Sequence, residues 1–295
     1  MSKILKNDDN LVKKASYLRI FARDLADSLK NGNFRSLFKG YGIEFEGVRD
    51  YICGDDIRTI DWSVTARMGH AYVKIFEETR ELQVFLIVDN SASMMIKNVK
   101  KSKYEVSSEA AALLTIACEL NSCPIGAVFF DGQIEFSVKP ALSKNQTLII
   151  LNKLDSLPQN IVNGSALDSA LNGAAKLLKR RSLIFVFSDF RTQGWQTSMI
   201  SLAQKNDIIA VKVYDDFDNE LPSVGTAVFE DVESGLKNVF PTTSQRFKKK
   251  WREYNHQNEE NWKKFCLKHG ILPVLMNTKD EPLQILNAAL KTQGK

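Results

Sequence analysis

The fold is decided by a short stretch, residues 82–94, which reads LQVFLIVDNSASM. Its first part, Leu82 to Val88, is a largely apolar run that stops at Asp89, as a buried central strand would. Ser91 and Ser93 follow, so one carboxylate and two hydroxyls lie together in the turn after this strand. Ligands of open α/β sheets bind where the carboxyl ends of strands meet loops, which makes this turn the first candidate site.

The remaining chain alternates between helical and strand-like patterns. Further strands are predicted at Gly126–Phe130, Gln133–Val138, Ser182–Phe187, Ile208–Val213 and Ile271–Met276. Helices are predicted at Tyr104–Leu120, Asn145–Leu154, Ala166–Lys179, Gly194–Ala203, Thr243–His269 and Pro282–Leu290. Asp131-Gly132 is a typical two-residue hairpin loop, which adds an antiparallel strand at one edge. The alternation predicts an α/β fold with a doubly wound, mostly parallel sheet and helices on both faces.

The part of the chain before this sheet has a different character. Apolar spacing predicts a helix over residues 11–30, and the glycine-rich, charged segment 33–80 reads as irregular with short β runs. We therefore predict a small N-terminal helical/β appendage, residues 1–80, and a main domain, residues 81–295, with a hairpin insertion near residues 225–241.

Composition narrows the class of protein. The 295 residues include 40 Lys and Arg against 35 Asp and Glu, and the resulting charge of +5 is too small to indicate a nucleic-acid binder. With 44% apolar and 25% charged residues the chain is typical of globular proteins. The four cysteines form no C-x-x-C pair, and neither a signal peptide nor a membrane span is visible. We therefore expect reduced thiols, a cytoplasmic location and no membrane insertion.

Oxygen-bearing residues at three places predict a metal site. Ser165 follows Gly164 just before a predicted helix, and Asp189 comes at the end of a predicted strand. In a doubly wound sheet both positions can converge on the turn after the first strand, and hard cations such as magnesium prefer oxygen ligands. The predicted ligands of Mg²⁺ or Mn²⁺ are Asp89, Ser91, Ser93, Ser165 and Asp189. We expect Asp189 to lie in a polar, water-filled cleft.

Other interpretations of these residues stay open. Ser165 and Asp189 are also typical of a helix cap and a turn cap, and a metal-dependent hydrolase could use Asp89 and Asp189. Upstream, four carboxylates lie among three arginines, which favours ion pairs and turn caps over a second metal site. This upstream cluster consists of Asp50, Asp55, Asp56 and Asp61 with Arg49, Arg58 and Arg67.

The five predicted ligands resemble the metal-ion-dependent adhesion site of von Willebrand factor A domains. The D-x-S-x-S motif of that site is matched by Asp89, Ser91 and Ser93, its second motif by Ser165 in place of the usual threonine, and its third by Asp189. Residues 42–51, GIEFEGVRDY, and residues 54–62, GDDIRTIDW, resemble the bacterial family catalogued as domain of unknown function 58. That family carries this signature before a von Willebrand A-like domain, and the resemblance covers about residue 15 to the C-terminus.

The resemblance also implies a biological role. It implies a Rossmann-like, von Willebrand A-like fold and a non-enzymatic, metal-binding interaction protein without catalytic residues. Members of the family accompany MoxR-type AAA+ ATPases, in pairs thought to act as chaperone-like machines on client proteins. The implied partners are therefore a MoxR-type ATPase and client proteins, with no nucleic acid.

Overall fold

The computed structural model describes residues 22–29, 42–79, 82–97, 101–156, 162, 164–220, 223, 225–230 and 237–292. Its contacts divide the chain into two compact units, Asn33–Glu81 and Met1–Gly32 with Leu82–Lys295. This grouping joins residues 1–32 to the larger unit, whereas the predicted domains 1–80 and 81–295 join them to the smaller one. Within the described residues, no helix has the length and apolar character needed to cross a membrane.

The helical residues 22–29 explain why the N-terminal stretch belongs with the larger unit. Ala22, Leu25, Ala26 and Leu29 are all buried. The side-chain amide of Asn121 donates a hydrogen bond to the carbonyl of Ala26, at 2.7 Å. The remainder of the helix predicted over residues 11–30 lies outside the described residues.

The larger unit follows the predicted alternation of strands and helices. Its strands are β3 (Val84–Asp89), β4 (Ile125–Phe130), β5 (Ile134–Ala141), β6 (Leu183–Ser188), β7 (Asp207–Tyr214), β8 (Thr226–Glu230), β9 (Lys237–Pro241) and β10 (Leu272–Asn277). Its helices are α2 (Ala92–Met95), α3 (Lys103–Leu120), α4 (Lys144–Asp155), α5 (Leu167–Leu177), α6 (Gln196–Ala203), α7 (Asp216–Asn219), α8 (Gln245–Lys268) and α9 (Pro282–Thr292). Short helices α2 and α7 have too few residues to show an apolar period, so sequence patterning missed them.

Six of these strands form the central sheet, in the order β10-β7-β6-β3-β4-β5. All neighbouring pairs are parallel except β4 and β5, which form the antiparallel hairpin predicted from Asp131-Gly132. Every residue of β3, β4 and β6 is buried, whereas the edge strand β5 alternates between exposed and half-buried residues. The predicted doubly wound, mostly parallel α/β fold is confirmed. Outside this sheet, β8 and β9 pair as a separate antiparallel hairpin.

Helices cover both faces of the central sheet. On one face α5, α6 and α8 join the strands in a single apolar cluster that includes Phe85, Leu171, Met199 and Trp262. On the other face α3 contacts β3 and β7, and α4 and α9 pack against α3. Because both faces are covered, the middle strands read as continuous apolar runs rather than as alternating ones.

The smaller unit is built on an antiparallel pair of strands, β1 (Gly42–Asp50) and β2 (Tyr72–Thr79). A 3-10 turn, Ile57–Thr59, and helix α1 (Trp62–Met68) connect them. The carboxylate cluster supplies the local contacts that the sequence favoured. Within the unit, Asp56 caps the 3-10 turn, Asp61 caps α1, Asp50 pairs with His70, and Asp55 accepts two hydrogen bonds from the Arg49 guanidinium. The structure thus shows turn caps and an Arg49–Asp55 ion pair within the smaller unit, in line with this interpretation.

Candidate functional site

The two predicted carboxylate ligands, Asp89 and Asp189, lie at the same edge of the central sheet. Strands β3 and β6 are parallel neighbours with Val88 opposite Phe187, so Asp89, the last residue of β3, and Asp189, which follows β6, lie at the carboxyl ends of these strands. The Asp89 side chain is almost fully buried, with 1% of the residue exposed. One of its oxygens accepts the Ser91 N–H at 2.9 Å, and the other accepts the Ser188 hydroxyl at 2.6 Å. Asp89 is thus held in one orientation.

The two serines of the D-x-S-x-S motif form the start of α2. Ser91 occupies the N-cap position and Ser93 lies within the helix, and both residues are buried. Their hydroxyl oxygens are 3.2 Å apart. A four-residue helix therefore brings both hydroxyls beside the carboxylate that precedes it.

Ser165 reaches the same edge through strand β4. The N–H of Ala166 donates to the Asp131 carbonyl at 2.6 Å, and the N–H of Asn90 donates to the Phe130 carbonyl, also at 2.6 Å. Both loops are thereby tied to the carboxyl end of β4. Among the described residues, the buried hydroxyl of Ser165 has no hydrogen-bond partner. Gly164 has φ +94°, a left-handed conformation that suits glycine in this turn.

A buried lysine that sequence reasoning missed also belongs to this site. Lys103 is 2% exposed at the first turn of α3, and its ammonium lies 3.2 Å from the Asp189 carboxylate and 3.1 Å from the Asp218 carboxylate. The Arg191 guanidinium contacts Asp218 at 2.5 Å and Asp189 at 3.8 Å. Asp189 lines a cavity at this edge of the sheet, but only 4% of the residue is exposed and its carboxylate is paired with a buried cation.

One sequence signal could have revealed Lys103. Ser102 and Glu105 form a capping box that starts α3, so the position of Lys103 in the first helical turn can be read from the sequence. A cation is disfavoured there by the helix dipole. A lysine at such a position therefore suggests nearby carboxylates, which here are Asp189 and Asp218.

The two aspartates of the site have opposite pKa shifts. Burial raises the pKa of Asp89 above its usual range, and the negative charge of Asp189 raises it further, against the hydrogen bonds from Ser188 and Ser91. Burial also acts to raise the pKa of Asp189, but the Lys103 ammonium and the Arg191 guanidinium outweigh it and lower that pKa overall. Asp189 is therefore the anion that the surrounding cations stabilise, whereas among the described residues no cation shifts the pKa of Asp89.

The donor set suits a hard cation only if the hydroxyls take part. Within the described residues, no group of three or more His, Cys, Asp or Glu side chains is placed to hold a metal ion. The oxygens that are present come from two carboxylates and three serines, a set that fits Mg²⁺ or Mn²⁺ with water completing the shell. The buried, unpartnered hydroxyl of Ser165 is the observation that fits a missing ligand best. Ligation by the five residues stays a prediction.

Similarity to other proteins extends over most of the chain. An uncharacterized protein of Mycobacterium bovis is 30% identical over 237 residues, which cover 79% of this chain and 74% of that relative. An uncharacterized protein of Mycobacterium tuberculosis matches to the same extent. Among solved structures, BatB from Bacteroides thetaiotaomicron is 17% identical with a TM-score of 0.48, over 72% of this chain and 98% of that one. An aerotolerance-related membrane protein from Bacteroides fragilis is 17% identical with a TM-score of 0.47, over 71% and 98%.

A family model gives the assignment. The model described as protein of unknown function DUF58 matches residues 47–261, which include the end of β1, the signature of the smaller unit and all five predicted ligands. This chain therefore belongs to the DUF58 family of proteins of unknown function.

Proposed function

We propose that this chain is a non-enzymatic interaction module that captures a partner protein through a divalent cation, Mg²⁺ or Mn²⁺. The residues that would hold the cation are Asp89, Ser91, Ser93, Ser165 and Asp189. When bound, the cation supplies an open coordination position that an aspartate or glutamate of the partner can fill. We propose further that the partner is a MoxR-type AAA+ ATPase, for which this chain acts as adaptor in the chaperone-like maturation of client proteins.

One observation carries the metal part of the proposal. Asp89 and the serine hydroxyls lie at the carboxyl edge of a parallel sheet, where the Ser165 hydroxyl is buried without a partner. A buried hydroxyl that makes no hydrogen bond costs about 1–3 kcal/mol, and a cation bound at this edge would remove that cost. The ATPase partner is supported by the family resemblance of the sequence alone.

The proposed ligands differ in the charge that they would contribute to the site. Asp89 is fixed by Ser91 and Ser188 and presents one anionic charge to the cation. Asp189 is already neutralised by Lys103, so it contributes an oxygen but little net charge. With three neutral hydroxyls as the other ligands, about one unit of the cation's double positive charge would stay unbalanced. The cation should therefore attract an external carboxylate more strongly than a cation surrounded by several aspartates would.

The alternative of a metal-dependent hydrolase fits the contacts less well. Asp89 is buried with both oxygens accepting hydrogen bonds, and Asp189 is paired with Lys103. These contacts would keep both carboxylates engaged with protein groups, which favours a role as cation ligands over one as nucleophile or base. The test of this alternative is the turnover of generic phosphate and ester substrates by the purified protein with Mg²⁺, and turnover that Asp89→Asn abolishes would establish the hydrolase.

Capture of the ATPase tests the proposal directly. The full chain is immobilised and the MoxR-type ATPase of the same organism is passed over it with Mg²⁺ or with EDTA. We expect binding in Mg²⁺, loss in EDTA and weaker binding by Ser165→Ala. The control is Ser201→Ala, which removes an exposed hydroxyl from α6 and should bind like wild type. Undiminished capture in EDTA, or no capture in either buffer, contradicts the proposal.

A further inference from the structure

A cavity of about 530 Å³ lies beside the candidate metal site, between α8 and the ends of β6 and β7. Its volume is within the range of about 300–1,000 Å³ typical of ligand pockets. Asp189 forms part of its wall, so the cavity begins where the proposed cation site ends. The cavity is lined by aromatic side chains, by side chains that carry amides, and by the ammonium of Lys212.

The aromatic walls are held by one another and by hydrogen bonds. Phe190 contacts Trp195 and Trp262, with ring centroids 5.2 Å and 5.3 Å apart. The indole N–H of Trp251 donates to the Asp218 carbonyl at 3.1 Å. Tyr254 stands on the rim with 64% of its surface exposed. The cavity is therefore preformed for flat apolar groups, and an exposed aromatic side chain marks its entrance.

Most charged side chains around the cavity are paired with an opposite charge, but among the described residues Lys212 is not. Asp189 and Asp218 are balanced by Lys103 and Arg191, and the carboxylate of Glu259 is paired with Lys263 at 2.7 Å. The half-buried Lys212 makes no ion pair or hydrogen bond with any described residue. Its ammonium instead lies 5.6 Å from the centre of the Trp262 ring.

The isolated position of Lys212 is costly for the fold. An ammonium partly withdrawn from water without an anionic partner is destabilising, and a cation–π contact at this distance offsets only part of that cost. Burial lowers the pKa of Lys212, although the charges of Glu259 and Asp189 act to raise it. A carboxylate of a bound ligand would offset the remaining cost by pairing with the Lys212 ammonium.

We propose that this cavity binds a peptide segment in which a carboxylate pairs with Lys212 and an adjacent aromatic side chain packs against Trp251 and Tyr254. The lining supports a peptide over other carboxylate-bearing ligands, because Gln196 and Asn258 carry amides suited to backbone N–H and C=O groups. The inference deepens the proposed function and rests on it for the protein nature of the partner. It adds that the captured segment carries a second carboxylate and an aromatic residue beside the one bound at the cation.

The experiment measures peptide binding to the full chain by calorimetry, in EDTA so that the cation site does not contribute. The probe is an acetylated, amidated pentapeptide with one glutamate between two phenylalanines. A control peptide has glutamine in place of the glutamate. A third peptide carries its only carboxylate at a free C-terminus. We expect the glutamate peptide to bind at least about tenfold more tightly than the glutamine peptide. Stronger binding of the third peptide supports the same pocket and assigns the carboxylate to a chain end.

Protein variants locate the binding. Lys212→Met should weaken the glutamate peptide by about tenfold or more without lowering the melting temperature, and Lys212→Arg should restore it. The control Lys205→Met removes an exposed lysine after α6 and should bind like wild type. Equal binding of the glutamate and glutamine peptides, or unchanged binding by Lys212→Met, overturns the inference. Because the assay is free of metal, failure here leaves cation-dependent capture untouched, and failure of that capture leaves this result standing.

Discussion

Replacing Lys103 by methionine tests whether the Lys103 ammonium stabilises the buried Asp189 carboxylate. Methionine keeps an unbranched side chain in the same space but removes the ammonium that lies 3.2 Å from Asp189 and 3.1 Å from Asp218. Asp218 keeps its contact with Arg191 at 2.5 Å, so the loss falls mainly on Asp189, whose side chain is 5% exposed. Breaking a buried pair in this way costs about 3–5 kcal/mol, and the remaining 3.8 Å contact between Arg191 and Asp189 favours the lower end, about 3 kcal/mol.

The assay is urea unfolding at pH 7 in EDTA, so that bound metal does not affect the comparison. A second substitution, Asp189→Asn, removes the stranded charge, so the double variant should be more stable than Lys103→Met alone, with a coupling of about 1–3 kcal/mol. The matched control is Lys101→Met, which breaks a half-exposed pair with Glu109 and should cost less than about 1 kcal/mol. A Lys103→Met variant within about 0.5 kcal/mol of wild type, or effects that simply add, would refute the pairing.

Three further outcomes follow from particular contacts. Gly126→Ala should lower the free energy of unfolding by about 1–3 kcal/mol, measured by urea denaturation, because its Cβ would lie 2.6 Å from the backbone nitrogen of Pro140. Alkylation of the native protein should label Cys53, which is exposed, ahead of the three buried cysteines, and mass spectrometry should find all four labelled after unfolding. The Arg49 guanidinium lowers the pKa of Asp55 to about 2, below the unfolded value of about 3.9. This stabilisation is present above pH about 4 and lost as pH falls through 2, so the melting-temperature deficit of Asp55→Asn should shrink from pH 6 to pH 2.

Much of the fold can be predicted because its main elements carry strong local signals. The run from Leu82 to Val88 is apolar throughout a strand that is covered on both faces, and Asp131-Gly132 determines the hairpin between β4 and β5. Helical periodicity predicts that residues 22–29 have a buried stripe but not which part of the chain buries it. That information lies in contacts between residues distant in sequence, such as the hydrogen bond from Asn121 to Ala26.

The candidate site was predictable only where strand ends and hydroxyls coincide. Asp89 and Asp189 follow apolar strands directly, and parallel pairing brings both to one edge. Lys103 lies 86 residues from Asp189 in sequence, and a lysine at a helix start is ordinarily an exposed residue. Lys212 was also missed. The sequence of β7 does not show that this lysine faces an aromatic cavity. Sequence patterns thus identify the oxygen ligands of a candidate site more readily than the lysines that lie beside them.

Calorimetric titration of the purified chain with Mg²⁺ shows whether the five residues hold a cation. The substitution to compare is Ser165→Ala, because the Ser165 hydroxyl makes no hydrogen bond with any described residue and its removal should leave the melting temperature unchanged. Wild type and the exposed control Ser201→Ala should bind one Mg²⁺ with equal affinity, and Ser165→Ala should bind at least about tenfold more weakly. Equal affinity of all three proteins, or no Mg²⁺ binding by wild type, would contradict the account.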